Sequence, residues 1–524
     1  MGLVSLEYLF FLLVVFLFYF FVPQKARWVV LLAASYAFYT LCSWKYLPFI
    51  AATTLTTFYA GIIMGNIAGK ARRRMADCDD RTQKKDIRAA AQAQKRLVIT
   101  ACFLLDFGIL AVLKYYNFFA SVTMSILGNG LPQLELLLPL GISFYTFQSA
   151  GYVIDVYHAK YEPDKNLAKF ALFVSFFPQL IQGPISRYEQ LASQLYEPHT
   201  FDVVRARSAL RLMFWGYFKK CIVADKLAVL VETVFNAPAG YSGAVIAFAA
   251  VCYGIQIYAD FSGGIDIIRG VAQLLGIDME QNFNQPYFST SLSDFWRRWH
   301  ITLGNWMRTY IFYPLALSKG MTRWGRRMSE KCGRYIGKAI PLCVATLVTF
   351  LAVGVWHGAG WKYLTYGVWN GAIIALATLT GPFFQEFYKR IHFNSECRIW
   401  YCWRVLRTFL IVTIGRFFTR AADVKTALFM MGSVLSRWKG DGAFLQTVLG
   451  LGVSWKNLIV VAFGVLMMIV VGVLRERGRD IRGWFEQRPV LVQMSLELVG
   501  VIFMVIFAEY GTEYDPADFI YAVF

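Results

Sequence analysis

Charged residues are scarce in this sequence, at 16% of the chain, whereas hydrophobic residues make up 57%. Soluble domains carry about 25% charged residues, so a soluble globular fold is excluded. The nine cysteines are scattered, mostly within apolar runs, and form no CxxC pair. Neither a disulfide framework nor a zinc site is therefore predicted. Only two of the five histidines lie in one candidate stretch, and a metal site would need more ligands than these two and scattered carboxylates.

Familiar catalytic signatures are missing as well. The sequence contains no GxSxG nucleophile elbow and no glycine-rich phosphate-binding loop, so serine-based catalysis and phosphoryl transfer lack their usual signals. No internal repeat is evident, which weighs against transporters built from repeats. Direct acyl transfer stays open, because a thioester donor is already activated and a base with an oxyanion stabiliser can suffice.

Long apolar runs are what the sequence does contain. Many reach the roughly 18–20 residues that cross a bilayer, and they are continuously apolar rather than alternating, which excludes a barrel. The predicted fold is an all-α, polytopic transmembrane helical bundle of roughly eleven spans with re-entrant or discontinuous helices. We expect one membrane-embedded domain over 1–524, with a catalytic core at about 97–420 between peripheral spans at 1–96 and 421–524.

The net charge of +19 is carried by basic clusters between the apolar runs. The clearest clusters lie at 69–96, 319–338, 387–407 and 475–489. This pattern follows the positive-inside rule for cytoplasmic loops, so the expected partner is the lipid bilayer and not nucleic acid. The first span, at about Tyr8–Val22, lacks the features of a cleaved signal peptide. Both termini are then predicted to be extracytoplasmic, in a multi-pass protein of the bacterial cytoplasmic membrane.

Two polar interruptions of the apolar runs are candidate sites. The string FFPQLIQGPISRYEQL breaks at Pro178 and again at Gly183–Pro184, and such a break at membrane depth requires cover by protein or a water-filled cavity. Gln179, inside the break, and Arg187, just beyond it, are candidate substrate-binding residues. In YGIQIYADFSGGID, Asp260 could orient a histidine, or it could cap a helix or pair with a basic residue.

The stretch from Ser291 to Trp361 holds two histidines, His300 and His357, and each directly follows a tryptophan. Periodicity predicts one helix over Asp294–Tyr313, with Ser293 or Asp294 as its N-cap. Its apolar face would carry Trp296, Trp299, His300, Leu303, Met307 and Tyr310, and its polar face Arg297, Arg298, Asn305, Arg308 and Thr309. Such a helix could be merely interfacial, or its apolar face could turn His300 into a cavity of the bundle.

His357 lies within an apolar run at Ala339–Leu379, where an ionisable side chain is a functional-site candidate by default. Gly354, Gly358 and Gly360 flank it and would give backbone or substrate room to approach. A buried, neutral imidazole suits general-base work on a hydroxyl. The alternative is a packing histidine that is hydrogen-bonded to a neighbouring helix.

These residues are where the sequence resembles the membrane-bound O-acyltransferase family. The resemblance is carried by DFWRRWH and the later WHG, and by LKYYNFF, PLGISFYTFQS, FFPQLIQGPISRYEQL, QIYADFSGGID, NFNQPYFSTSLSDFWRRWH and GVWHGAGW. It is closest to the membrane subunits of bacterial alginate and cellulose O-acetyltransferases. The sequence departs from the family at Met307–Tyr310, where FRDY is common, and at Gly264, where an aromatic residue often follows FSG.

The resemblance implies a multi-helix bundle pierced by a central tunnel, with the donor entering from the cytoplasm and the acceptor from outside. The essential histidine of WHG falls on His357 and the histidine of WRRWH on His300, so these are the predicted catalytic residues. The candidate substrate-binding residues are Trp296, Arg297, Trp299, Asn305 and Trp356, with Gln179, Arg187 and Asp260. No bound cofactor and no metal ion are expected.

The predicted function is transfer of an acetyl group from a cytoplasmic thioester, acetyl-CoA being the expected donor, to an extracytoplasmic hydroxyl in cell-surface polysaccharide acetylation. His357 would take the hydroxyl proton, and His300 would orient the donor or stabilise the oxyanion. The acceptor is expected to be a polysaccharide or an extracytoplasmic acetyltransferase partner. D-alanyl transfer from a carrier protein toward teichoic acid is the alternative enzyme activity, and a transporter or flippase for a lipid-linked sugar is the alternative from another class.

Overall fold

The computed structural model describes residues 2–128, 131–392, 394–438 and 444–508. Within these ranges the chain is helical, and pairing of extended backbone is limited to one antiparallel bridge between Phe283 and Trp299. The chain divides into two compact units. Unit 1 contains residues 1–213 and 268–280, and unit 2 contains residues 214–267 and 281–524. The sequence after the last predicted span, EYGTEYDPAD, is acidic, and residues 509–524 lie outside the described residues.

Seven helices in the described part of the chain are long and apolar enough to cross a membrane. They are Trp44–Ala76, Arg81–Leu127, Gly243–Leu274, Arg334–His357, Trp361–Arg390, Trp455–Glu476 and Val490–Phe507. The chain is thus a polytopic helical membrane protein, as predicted. The count is below the expected eleven, partly because two further apolar helices, Leu6–Phe21 and Val424–Ser436, are shorter than a full span.

Unit 1 consists mainly of nine helices, several of them short. In chain order they are α1 Leu6–Phe21, α2 Arg27–Cys42, α3 Leu47–Ala76, α4 Arg81–Leu127, α5 Ile142–Tyr157, α6 Leu167–Ser175, α7 Phe177–Gln182, α8 Tyr188–Tyr196 and α9 Val203–Tyr217. Helix α5 is buried along nearly its whole length, including its serine, threonine and glutamine side chains. In the sequence, the apolar string LPLGISFYTFQSAGYVIDVY carries Ser, Thr, Gln and Asp residues that would be costly facing lipid, which predicts a helix that faces the bundle interior. The burial of α5 confirms this prediction.

The sequence predicts a broken element around Pro178, and unit 1 contains it. Helix α6 ends at Ser175, α7 occupies Phe177–Gln182 with Pro178 in its first turn, and α8 begins only at Tyr188. Every residue of α7 is buried. The broken backbone is thus covered by protein, which is the condition under which such a break is tolerated at membrane depth.

Unit 2 contains the remaining helices. They are α10 Asp225–Asn236, α11 Gly243–Leu274, α12 Leu292–Arg298, α13 Ile301–Met307, α14 Tyr313–Ala316, α15 Lys319–Cys332, α16 Arg334–His357, α17 Trp361–Arg390, α18 Arg398–Arg420, α19 Val424–Ser436, α20 Phe444–Leu449, α21 Trp455–Glu476, α22 Ile481–Glu486 and α23 Val490–Phe507. The boundary between the units falls within two helices, so the end of α9 from Phe214 belongs to unit 2 and the end of α11 from Ile268 belongs to unit 1. The sequence predicts a last span at Val490–Phe507, and α23 has these limits. The basic segment at 319–338, expected as a loop, is mostly helical because it contains α15.

For the apolar run around HGAG, the sequence predicts two short spans that meet there or one helix pair with a deep turn, and α16 and α17 form such a pair. Helix α16 ends at His357, and α17 begins at Trp361 after three residues. Glycines set the spacing of the pair: a Cβ on Gly354 would collide with the Tyr363 carbonyl oxygen, and one on Gly367 with that of Phe350. The sequence predicts that the glycines around His357 let either backbone or substrate come close, and at Gly354 it is the backbone of α17 that does so.

Two segments of unit 2, at Phe218–Ala224 and Arg308–Phe312, have π-helical bonding. Such widened turns are uncommon and are frequent at functional sites. The first of them holds two consecutive lysines, Lys219 and Lys220, which are both buried. The second lies where the sequence departs from FRDY, directly after α13.

Candidate active site

His300 does not lie inside a helix, so the prediction of one continuous helix over Asp294–Tyr313 is wrong. Helix α12 begins after the cap Ser291, whose side chain accepts a hydrogen bond from the Asp294 backbone, and it ends at Arg298. His300 has φ +47° and ψ +56° and stands immediately before α13. This left-handed conformation is strained for a residue other than glycine, at a cost of about 1–3 kcal/mol. Tertiary contacts are therefore needed to hold His300 in this conformation.

The backbone on either side of His300 pairs with the segment before α12. Phe283 and Trp299 form the antiparallel bridge, the Asn284 N–H donates to the Arg298 carbonyl at 2.9 Å, and the Ile301 N–H donates to the Asn282 carbonyl at 3.0 Å. These bonds satisfy backbone groups that a continuous helix would have paired internally. The break at His300 therefore results from a partner that is remote in sequence and invisible to helical periodicity.

The side chain of Asn282 orients the His300 ring. Its Oδ1 accepts from the Thr302 N–H at 3.0 Å and from the Thr302 hydroxyl at 3.0 Å, and it lies 3.3 Å from His300 Nδ1. A backbone N–H can only donate, so the amide atom at this position must be oxygen. His300 Nδ1 must then carry the proton that it shares with that oxygen. The lone pair of the neutral ring is consequently on Nε2.

The two histidines are joined through an aromatic side chain. The Trp356 ring lies 5.5 Å from the His300 ring and 5.0 Å from the His357 ring, centroid to centroid. All three side chains are at most 3% exposed. Burial, and next the neighbouring His357, lower the pKa of His300 well below its ordinary value. The site therefore brings the predicted pair together in a dry environment that favours a neutral His300.

Further aromatic rings hold the pair in place. Phe261 packs edge-on against His300 at 4.9 Å, and Tyr366 packs edge-on against His357 at 5.6 Å. Trp296 donates its indole N–H to Asn370 Oδ1 at 3.0 Å and contacts Tyr366 at 6.4 Å. Of the predicted substrate-binding tryptophans, Trp356 therefore contacts both histidines directly. Trp296 contacts Tyr366, which lies against His357.

Trp299, the third predicted tryptophan, belongs to the layer behind His300. Its ring lies 5.0 Å from Phe283 and 5.5 Å from Phe295, and the guanidinium of Arg416 lies 4.9 Å from its centroid. The side chain is buried. Its position supports the backbone of the adjacent His300.

Asp260 forms an ion pair, which is one of the alternatives that the sequence left open. Its Oδ1 lies 2.7 Å from Lys220 Nζ, and Asp225 lies 2.9 Å from the same nitrogen. The widened turn in this segment lets the preceding Lys219 reach Asp266 at 2.7 Å as well. Because Phe261 follows Asp260 in α11 and contacts His300, this buried charge cluster anchors the helix that backs the site.

The other predicted residues have their own contacts. Arg297 has a 60% exposed side chain and pairs with Asp294 at 3.3 Å, so it turns away from the buried pair. Asn305 is half-buried on α13. Gln179 and Arg187 belong to unit 1, where Gln179 donates to Gln148 Oε1 at 2.9 Å and to the Phe173 carbonyl at 3.0 Å.

Sequence reasoning missed Asn282, and it gives no role to Arg416, whose charge within the apolar string TFLIVTIGRFF is visible in the sequence. The string NFNQPYF holds Asn282 in a polar loop, where an asparagine normally indicates a turn. Arg416 interrupts an apolar run of α18, and an intramembrane charge was the available signal. Within the described ranges, no three His, Cys, Asp or Glu side chains group as metal ligands would.

Comparison with known proteins defines the class. A family model described as MBOAT, the membrane-bound O-acyltransferase family, matches residues 163–328, a range that includes His300. The chain is 32% identical over 435 residues to the probable alginate O-acetylase AlgI of Pseudomonas aeruginosa, which covers 82% of this chain and 74% of that protein. The chain belongs to the membrane-bound O-acyltransferase family, and it is an O-acyltransferase.

Two other relatives carry different names. The peptidoglycan O-acetyltransferase of Helicobacter pylori is 28% identical over 427 residues, with 76% of this chain and 72% of that protein covered. The teichoic acid D-alanyltransferase of Bacillus subtilis is 25% identical over 290 residues, covering 54% of this chain and 69% of that protein. The resemblance inferred from the motifs is thereby confirmed at the level of the family.

Proposed function

We propose that this protein is a membrane O-acetyltransferase that moves an acetyl group from a cytoplasmic thioester, acetyl-CoA, to a hydroxyl of an extracytoplasmic polysaccharide. The buried pair of His300 and His357, bridged by Trp356, carries the proposal. Relatives named for O-acetylation of alginate and of peptidoglycan support the acceptor class. The match to the D-alanyltransferase covers less of the chain, so D-alanyl transfer is the second candidate.

His357 acts as the base in this proposal. It takes the proton of the acceptor hydroxyl as that oxygen attacks the thioester carbonyl, and the new carbon–oxygen bond forms as the carbon–sulfur bond breaks. The proton then passes from the imidazolium to the leaving thiolate, so the products are an ester and a free thiol. Water is kept out by the surrounding rings, which strengthens electrostatic interactions at the reacting atoms.

His300 orients a substrate group in this scheme. A neutral ring whose Nδ1 proton is shared with Asn282 offers only the Nε2 lone pair, so it accepts a hydrogen bond from an N–H or O–H of a substrate. Oxyanion stabilisation would require a donor at Nε2. Of the two roles that the sequence suggests for His300, orientation therefore fits the site better.

The remaining predictions complete the proposal. The donor and the acceptor enter from opposite sides of the cytoplasmic membrane through a tunnel, and a catalytic core at about 97–420 contains the path. The N-terminus is extracytoplasmic, as is the C-terminus, which lies outside the described residues. An extracytoplasmic acetyltransferase could receive the acetyl group before the polysaccharide. The distribution of basic segments supports this orientation.

The test uses the purified full-length protein in lipid nanodiscs with radiolabelled acetyl-CoA and polysaccharide fragments, uronate and amino-sugar oligomers in separate reactions. Thiol release and label transfer are measured for the wild type, His357→Ala and the exposed control His392→Ala. We expect transfer by the wild type and the control, and a loss of at least about 100-fold for His357→Ala. Full activity of folded His357→Ala would exclude the assigned base. Transfer from a D-alanyl carrier protein, with none from acetyl-CoA, would favour the second candidate.

A further inference from the structure

Arg416 on α18 is a buried cation without a carboxylate among its contacts in the described part of the chain. The side chain is 3% exposed, and its Nη1 donates to the Tyr287 hydroxyl at 2.6 Å and to the Gly254 carbonyl at 3.2 Å. Its Nη2 has no hydrogen-bond partner among the described residues. A buried charge is normally paired with an opposite charge, so the chain retains this one at an energetic cost.

Aromatic rings take the place of the missing anion. The guanidinium carbon lies 4.9 Å from the Trp299 centroid, 5.2 Å from Tyr287 and 6.0 Å from Phe295. The Tyr287 hydroxyl in turn donates to the same Gly254 carbonyl that accepts from Arg416. Cation–π attraction is directional, because the charge seeks the face of the ring, and it therefore fixes the plane of Trp299.

The fixed position of Trp299 also fixes the backbone at His300, one of the two histidines of the proposed site. Trp299 directly precedes His300 and forms the bridge to Phe283, so the plane of its ring and the left-handed turn at His300 are set together. The residue before Arg416, Gly415, lies next to Tyr366, since a Cβ on this glycine would be 3.7 Å from the Tyr366 ring. Tyr366 in turn packs against His357. This turn of α18 thus backs both histidines.

We infer that Arg416 is a positioning residue for acyl transfer, holding Trp299 and thereby the His300 backbone in the reactive geometry. The inference rests on the proposed function of the histidine pair. A purely structural role would predict that replacing Arg416 lowers stability and leaves kcat unchanged in the protein that stays folded. A positioning role predicts the reverse: even a buried ion pair can often be replaced by apolar side chains without loss of stability, and an unpaired charge has less attraction to lose. Activity and stability should therefore separate when Arg416 is replaced.

The test compares Arg416→Met, Arg416→Lys and the matched control Arg420→Met in the full-length protein in nanodiscs. Arg420 lies one turn further along α18, is 25% exposed and stands 3.7 Å from Glu232. We expect Arg416→Met to keep or raise Tm, to leave KM for acetyl-CoA within about twofold, and to lower kcat by about tenfold or more, as a misplaced catalytic group does. Arg416→Lys should recover part of kcat, and Arg420→Met should match the wild type.

The outcomes separate this inference from the proposed function. An active wild type with a folded, equally active Arg416→Met would overturn the inference alone. A wild type without acyl transfer would overturn the proposed function, and the inference with it. If Arg416→Met does not fold, Tyr287→Phe decides, because it removes the hydroxyl that Nη1 contacts while it keeps the charge and the rings. A lowered kcat at unchanged KM supports the inference, and a wild-type kcat overturns it.

Discussion

Asn282 offers the sharpest single test of how the site is built. Its Oδ1 is the acceptor for the Thr302 N–H, the Thr302 hydroxyl and His300 Nδ1, and the residue is fully buried. Asn282→Ala leaves these donors unsatisfied, at about 1–3 kcal/mol for each group that stays dry. Local relaxation will return part of this cost, so we expect a net loss of about 3 kcal/mol.

The effect on catalysis should exceed the effect on folding. Without the acceptor, the His300 ring is free to flip or to move its proton to Nε2, so the lone pair no longer points at the substrate. We expect kcat to fall by about 10–100-fold, the range for a catalytic group displaced by about an ångström. The assay is acetyl transfer in nanodiscs, with Tm measured in parallel. The control is Asn284→Ala, which changes the same residue type in the same loop at an exposed position.

Asn282→Asp adds a pH test with a defined sign. The carboxylate keeps the acceptor and the tautomer, but it stabilises the imidazolium and so raises the pKa of His300, which burial and the neighbouring His357 hold low in the wild type. Because a protonated Nε2 cannot accept a hydrogen bond, the acid limb of the kcat profile should move to higher pH. An unshifted profile for Asn282→Asp, together with wild-type kcat for folded Asn282→Ala, would refute the tautomer argument.

Two further predictions concern stability. Lys220→Met leaves Asp260 and Asp225 buried without their shared cation, so we expect a loss of about 3–5 kcal/mol, seen as a lower Tm that Asp260→Asn added to the same protein partly restores. Gly354→Ala places a Cβ against the Tyr363 carbonyl and should cost about 1–3 kcal/mol through overpacking. Gly360→Ala is its control, since a Cβ there lies 3.8 Å from its nearest neighbour, and equal Tm values for the two glycine variants would contradict the packing argument.

The features that sequence reasoning predicted correctly are those set by local composition. The last span at Val490–Phe507, the buried polar helix α5 and the helix pair that meets after His357 all follow from apolar runs, breaks and glycines within a few residues of each other. The pairing of the two histidines came from their common Trp-His context and from the family resemblance.

The features that it missed depend on contacts between distant residues. The residues next to His300 do not indicate a helix break, since they include neither glycine nor proline and the one glycine between Asp294 and Tyr313, Gly304, lies four residues further on. The break is imposed by the segment around Phe283, whose backbone pairs with Trp299. The ion pairs of the two buried lysines could not be predicted either. In an ordinary helix, the consecutive residues Lys219 and Lys220 would not both point toward α11.

Each histidine stands at the end of a helix, and this position determines which contacts orient its ring. His357 closes α16, and His300 stands in the gap before α13, so neither ring is oriented by the regular helix that carries it. Tertiary contacts from other segments orient them, through Asn282 for one ring and Tyr366 for the other. Substitutions of Asn282 or Tyr366 should therefore lower kcat more than a substitution of Arg297. Arg297 is only three residues from His300 in the sequence, but its side chain is exposed.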